Sequence, residues 1–255
     1  MNKGTQEGTK QEIVLVKELN QHKNSILWDM LDMGENKFLY AVRCSEKKLS
    51  SISKKKVLPK SDIFLIKTKN RLSLEDNYLD ETILNSLKCD FEYIKNSGIS
   101  VKEKESKSFT YQKFTIETFY SIFSSYELGC AIGYYTTQKD FFKNEIMEKA
   151  WHVDKEKIAI KLNEFCKSYK LQTNCKFDEY KDLKHTAILI TQHMIKNSKT
   201  ISDFIFSGTG AFKDPFYASF IYKDGVLSKK LVPDSYSITT GSGRTKGIYT
   251  IVVKP

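Results

Sequence analysis

No two cysteines in this chain are spaced C-x-x-C, and the five present (Cys44, Cys89, Cys130, Cys166 and Cys175) are scattered and odd in number. That pattern argues against a disulfide framework and for reduced, mostly structural thiols in a cytoplasmic protein. Histidine is equally sparse. His22, His152, His185 and His193 have no zinc-site spacing with cysteine, and no histidine-centred hydrolytic arrangement is legible. No apolar run approaches the roughly 20 residues that a membrane-spanning helix needs, so no membrane partner is expected. The polar start carries no visible secretion signal. Internal repeats and low-complexity tracts are absent, which excludes solenoids and arrays.

What remains is a composition able to bury a core. Apolar residues make up 40% of the 255, enough for one large domain or a domain with a sizeable insertion. The formal net charge of +10 attracts phosphate backbones without specifying one, and a lysine-rich solvated surface accounts for it equally well.

Periodicity divides the chain into three stretches. In residues 1–125, a helix is expected over 10–20, where Ile13, Val16 and Leu19 fall near one face. Strands follow at 38–43 and 61–68, separated by a basic exposed loop over 45–60. A short helix fits 78–87, and 91–94 with 99–102 reads as one extended or bulged element around Gly98. Residues 126–200 carry helical spacing at 139–150, 154–170 and 177–196, with Asp154 as an N-cap. They are expected to cover the sheet, with pairing of two copies into a homodimer as the other use. From residue 201 the pattern returns to strands, at 204–206, 217–222 and 248–253, with Asp224-Gly225 marking a turn. The expectation is an α/β (α+β mixed-sheet) fold, compact as one domain.

Asp62 opens one strand, and Lys102 ends the short strand Gly98-Ile-Ser-Val-Lys102. An acid at the mouth of one strand beside a lysine at the mouth of its neighbour forms the core of a metal-dependent nuclease site. The carboxylate holds a divalent cation, and the lysine orients or deprotonates the attacking water. Ser100 and Lys102 share a face, and the Val101 carbonyl is available as a hard oxygen ligand. The carboxylate expected two residues before the lysine is missing, because Ser100 stands there. Glu12 is the candidate substitute and Glu92 the reserve. The bland readings are a turn or cap residue for Asp62 and a solvated helix residue for Glu12. Near the end, Thr239-Thr-Gly-Ser-Gly-Arg-Thr-Lys-Gly247 combines three glycines with Arg244 and Lys246. Such a loop can approach phosphates or base edges, or serve as a plain hairpin, and it is not a P-loop.

Four patches in order resemble one family. They are Glu7-Gly-Thr-Lys-Gln-Glu12, Pro59-Lys-Ser-Asp62-Ile, Gly98-Ile-Ser-Val-Lys102 with Glu105-Ser-Lys-Ser-Phe109 and Gln112-Lys113, and the closing run from Gly243 to Pro255. Together they resemble small Type II restriction endonucleases of the PD-(D/E)xK superfamily, especially small palindrome-cutting enzymes related to the GCGC-cleaving one. The resemblance implies a nuclease-like core with helices on both faces. It implies Mg²⁺-dependent cleavage of double-stranded DNA at a short specific sequence, leaving 5′-phosphate and 3′-hydroxyl ends. It places Mg²⁺ on Asp62, Glu12 and the Val101 carbonyl, and Lys102 and Ser100 at the chemistry. It places DNA on Arg244, Lys246, Ser242, Ser106, Lys107 and Gln112, and implies a cognate DNA methyltransferase as functional partner. Ser100 departs from the usual acid at its position. A DNA-binding protein that has lost cleavage and a repair nuclease without fixed sequence are the alternatives.

Overall fold

The computed structural model describes residues 3–23, 25–33, 37–52, 56–102, 109–172, 176–241 and 249–255. In chain order the helices are α1 (Lys3–Gln21), α2 (Ile26–Met30), α3 (Glu81–Ser86), α4 (Ile116–Phe123), α5 (Tyr126–Gly133), α6 (Phe142–Trp151), α7 (Lys155–Tyr169), α8 (Tyr180–Asn197) and α9 (Lys199–Phe206). The strands are β1 (Leu39–Arg43), β2 (Lys48–Leu49), β3 (Lys56–Val57), β4 (Ile63–Thr68), β5 (Phe91–Tyr93), β6 (Ile99–Lys102), β7 (Gln112–Phe114), β8 (Phe220–Lys223), β9 (Val226–Ser228), β10 (Ser237–Thr240) and β11 (Ile251–Lys254). The chain divides into two compact units, Met1–Phe109 with Phe206–Pro233, and Thr110–Ile205 with Asp234–Pro255.

The first unit holds a mixed sheet in the order β1-β4-β6-β8-β9, with β5 also paired to β4. β6 and β8 run parallel, and the other pairs are antiparallel. Alternation along β4 explains why it lies at the centre. Ile63 and Leu65 join Leu15, Val16 and Leu19 of α1 and Leu27 and Trp28 of α2. Phe64 and Ile66 join Tyr40, Val42 and Leu84 of α3 on the opposite face. Helices therefore cover both faces, and the expected mixed α/β architecture is the one present. The 217–222 strand and its turn are found as the β8–β9 hairpin. Asp224 (φ 52°) and Gly225 (φ 80°) supply the two left-handed residues that a tight type I′ turn needs.

Three local expectations are corrected. Residues 204–206 end helix α9 instead of forming a strand. A short apolar triplet fits either state, and here Phe204, Ile205 and Phe206 are buried as the end of a helix whose Ile201 N–H is capped by the Ser198 hydroxyl. The 45–60 loop contains the paired strands β2 and β3. Buried Glu81 orders its start by accepting the N–H groups of Ser45 and Glu46 and pairing with Lys48. The 91–102 stretch is two strands, both on β4. Ile66 faces Tyr93 while Ile63 faces Ile99, so three steps along β4 span six along its partner, and residues 95–97 bulge out.

The second unit packs its helices with the antiparallel sheet β10-β11-β7. Its core is aromatic. Phe119 meets Trp151 edge-on at 5.7 Å and Phe114 at 5.7 Å. Asp154 caps α7 through the Lys157 N–H (2.8 Å), as its position predicts. Ser125 caps α5 through the Leu128 N–H (3.2 Å), in a fully buried setting. Replacing Ser125 by Ala strands that N–H and is expected to cost about 1 kcal/mol, read as a lower urea midpoint. Ser125→Thr should retain most of the stability. Among the described residues, no helix is long and apolar enough to cross a membrane.

Candidate functional site

The start of β4 is held on both sides. The Asp62 N–H donates to the Ile99 carbonyl at 2.8 Å, and the Asp62 carbonyl accepts the Cys44 N–H at 2.8 Å. Its side chain then replaces the next rung of the ladder. Oδ2 accepts the Val101 N–H at 2.8 Å and the Ser100 hydroxyl at 3.3 Å. Lys102 Nζ donates to the same Ser100 Oγ at 2.7 Å. Asp62, Ser100 and Lys102 thus form one hydrogen-bonded chain across two strand mouths. Ser100 is more than a missing acid: it is buried and joins the lysine to the carboxylate.

Burial is the main cause of the unusual acidities here. It pushes the Asp62 carboxyl up, against the opposing pull of Lys102, the Val101 N–H, the Ser100 hydroxyl and Lys60. It pushes the Lys102 ammonium down, with Asp62 opposing. Burial and then the like charge of Lys102 lower Lys60 to about 7, with Asp62 opposing.

Glu12 projects from α1 into a different set of contacts. Its Oε2 accepts from Arg43 Nε at 2.7 Å, at the end of β1 that lies beside the start of β4. Burial raises the Glu12 carboxyl, the charge of Asp62 raises it further, and Arg43 opposes both. The two acids therefore sense each other, although Glu12 has Arg43 as its direct partner. Glu92 is not brought to the site. It pairs across from Lys67, near the far end of β4 from Asp62.

Gln112 lies on β7 in the second unit, where its amide donates to the Lys113 carbonyl at 3.2 Å. Ser106, Lys107, Ser242, Arg244 and Lys246 lie outside the described residues. Sequence reading assigned no role to Lys60, Arg43, Phe109 or Lys223. The signal for Lys60 was present, since a residue two positions before Asp62 shares its side of an extended chain. Arg43, Phe109 and Lys223 become visible only through strand order. Among the described residues, no group of three or more His, Cys, Asp or Glu side chains is placed to hold a metal ion.

No family model matches the chain, and no curated protein matches it. Among solved structures it is similar to the crystal structure of restriction endonuclease MspI in complex with its cognate DNA. The TM-score is 0.48 at 10% sequence identity, over 99% of this chain and 90% of that one.

Proposed function

We propose that the chain is a Mg²⁺-dependent endonuclease of the Type II restriction class, cutting double-stranded DNA at a short specific sequence. The observation that carries this reading is the linked set of Asp62, Ser100 and Lys102, closed by the Val101 N–H on Asp62. It sets an acid and a lysine side by side at the mouths of adjacent strands.

Asp62, Glu12 and the Val101 carbonyl would hold the metal. The donor set fits: all are hard oxygens, and Mg²⁺ takes one or two carboxylates while keeping several waters. A carboxylate also accepts at both oxygens, so Asp62 has capacity beyond Oδ2 and Glu12 beyond the oxygen given to Arg43. Bound there, Mg²⁺ supplies charge stabilisation and water activation. Lys102 sets a positive charge beside the phosphate and orients the attacking water, with Ser100 fixing its ammonium. Hydrolysis then leaves 5′-phosphate and 3′-hydroxyl ends. Arg244, Lys246, Ser242, Ser106, Lys107 and Gln112 are proposed DNA contacts. A cognate methyltransferase, a homodimeric form and a cytoplasmic setting complete the reading.

The test is digestion of a fully sequenced plasmid with Mg²⁺ and mapping of the ends. Discrete fragments that vanish in D62A and K102A are expected. A second reading, a DNA-binding protein without cleavage, is favoured by Ser100 in the acid position. Binding with no cutting in Mg²⁺ or Mn²⁺ would decide for it, and cutting without fixed ends would indicate a repair nuclease. Glu12→Gln gives a finer test. If Glu12 supports the metal, the Mg²⁺ concentration for half-maximal cleavage should rise about tenfold or more. An unchanged Mg²⁺ titration would remove Glu12 from the site.

A further inference from the structure

Helix α1 is docked on β1 by polar contacts at two points. At one, Asn20 brackets Ala41: its amide donates to the Ala41 carbonyl at 3.0 Å and its side-chain oxygen accepts the Ala41 N–H at 2.8 Å. At the other, Arg43 Nε donates to Glu12 Oε2 at 2.7 Å. Alternation brings Arg43 there, because Leu39 and Ala41 of the same strand face the α1 side of the sheet. Glu12 lies one turn before Leu15 and Val16, on the helix face that joins the same core. The two side chains are only 18% and 20% exposed, so solvent screens this pair less than an ion pair on the open surface.

The contacts continue beyond Arg43. Tyr78 is hydrogen-bonded to the same guanidinium, and its ring packs against the α1-side core. The Tyr78 hydroxyl donates to Asp80 Oδ2 at 3.2 Å, and Asp80 Oδ1 caps α3 by accepting the Ile83 N–H at 2.9 Å. The backbone is fixed as well. The Arg43 N–H donates to the Leu79 carbonyl at 2.9 Å, and the Cys44 N–H donates to the Asp62 carbonyl at 2.8 Å. Arg43 itself pairs with Ile63, the residue after Asp62.

From this arrangement we infer that Arg43 is the positioning residue for Glu12 at the metal, with Tyr78 as the clamp on its guanidinium. The inference rests on the nuclease reading above and deepens it by naming what holds the second carboxylate. A carboxylate ligand is oriented by the hydrogen bonds it accepts outside the metal's own ligands. Arginine suits that task. Its guanidinium is planar and always charged, and it carries five donors in a rigid fork, so one group serves Glu12 through Nε and Tyr78 besides. A lysine would supply a point charge without the fork. Charge argues the same way. Asp62 and Glu12 are like charges that the site must bring together, and Arg43 offsets one of them with a group that does not lose its proton.

The test measures Mn²⁺ binding to the full-length chain without DNA, from the electron paramagnetic resonance signal of free Mn²⁺. Mn²⁺ prefers the same oxygen ligands as Mg²⁺. Glu12→Gln and Arg43→Met are each expected to weaken binding about tenfold. The double variant should bind as weakly as either single one, because Arg43 acts through Glu12. Arg43→Lys, which keeps a charge and loses the fork, should fall between wild type and Arg43→Met. Tyr78→Phe keeps the ring and the ion pair and should also weaken binding. If Arg43→Met fails to fold, these last two variants decide. Wild-type Mn²⁺ affinity in the folded Arg43 and Tyr78 variants would overturn the inference. So would an equal loss from Arg43→Met in the wild-type and Glu12→Gln chains, the mark of a general structural role. Either result leaves the nuclease reading standing where Asp62→Asn still removes Mn²⁺ binding. A wild-type chain that neither binds Mn²⁺ nor cuts duplex DNA would overturn both.

Discussion

Replacing Asp62 by Asn is expected to abolish cleavage and, in the absence of metal, to make the folded chain more stable. The cleavage loss should reach roughly 10³-fold or more, the size that follows from removing several kcal/mol of transition-state charge stabilisation. The stability gain follows from the direction of the Asp62 shift. Burial raises the pKa of its carboxyl despite Lys102, the Val101 N–H, the Ser100 hydroxyl and Lys60 all pulling the other way. Net of every partner, folding disfavours the charged form relative to the unfolded chain. An acid whose folded pKa is raised contributes stability below the unfolded value, near 3.9, that is lost as pH rises through the folded value. Asparagine stays neutral throughout and can still accept the Val101 N–H. The stability difference between variant and wild type should therefore be small in acid and widen toward neutral pH. Urea unfolding in EDTA at several pH values checks this. A variant less stable than wild type at neutral pH would mean that the lysines outweigh burial. Such a trade between stability and activity is common at functional sites, and Mg²⁺ should narrow the gap by binding the wild-type carboxylate.

The central elements were legible because alternation and turn chemistry are local. Ile63 to Ile66 send apolar side chains to both faces, and Asp62 at the polar end of that run marks a strand mouth. Lys102 was legible for the same reason. Ser100 was read as a deficit, yet its hydroxyl links the two charged groups, a role that depends on β6 docking beside β4. The place of Lys223 beside Lys102 depends on strand order, and β8 is separated from β6 by more than a hundred residues of chain. Arg43 was passed over as the last residue of a strand, although antiparallel pairing returns it to the start of β4. The helix ending at Phe206 and the division of 91–102 into two strands escape for a related reason. Short apolar runs carry too little periodicity to separate helix from strand, and a register slip is decided by the partner strand.

Gly98→Ala should produce the largest loss of stability among single substitutions near the site, about 3 kcal/mol, with cleavage falling alongside it. A Cβ at Gly98 would stand 1.9 Å from the Tyr217 carbonyl oxygen, 2.8 Å from that of Pro215 and 3.0 Å from the Ser61 Cβ. Two of these obstacles are backbone, so no flexible side chain can move aside, and overpacking costs at the upper end of its usual ~1–3 kcal/mol are expected. The same backbone is tied in place from several directions. The Gly98 carbonyl accepts the N–H groups of Ser219 and Phe220 at 2.7 Å and 3.0 Å. The Ser61 hydroxyl donates to the Pro215 carbonyl at 3.1 Å. Relief of the clash therefore requires the 215–220 segment to move away from the starts of both β4 and β6. The Asp62–Val101 contact lies a few residues beyond that point on each strand, so its 2.8 Å geometry shifts with them. Gly8→Ala is the contrasting substitution. Gly8 lies within α1 with nothing inside 4 Å of an added Cβ, and alanine there should be neutral or stabilising by up to about 1 kcal/mol. Urea midpoints for the two variants, with cleavage measured on the same samples, separate a close backbone contact at the candidate site from a general intolerance of alanine. A Gly98→Ala chain with the wild-type midpoint would show that β6 is not held against β4 in this way.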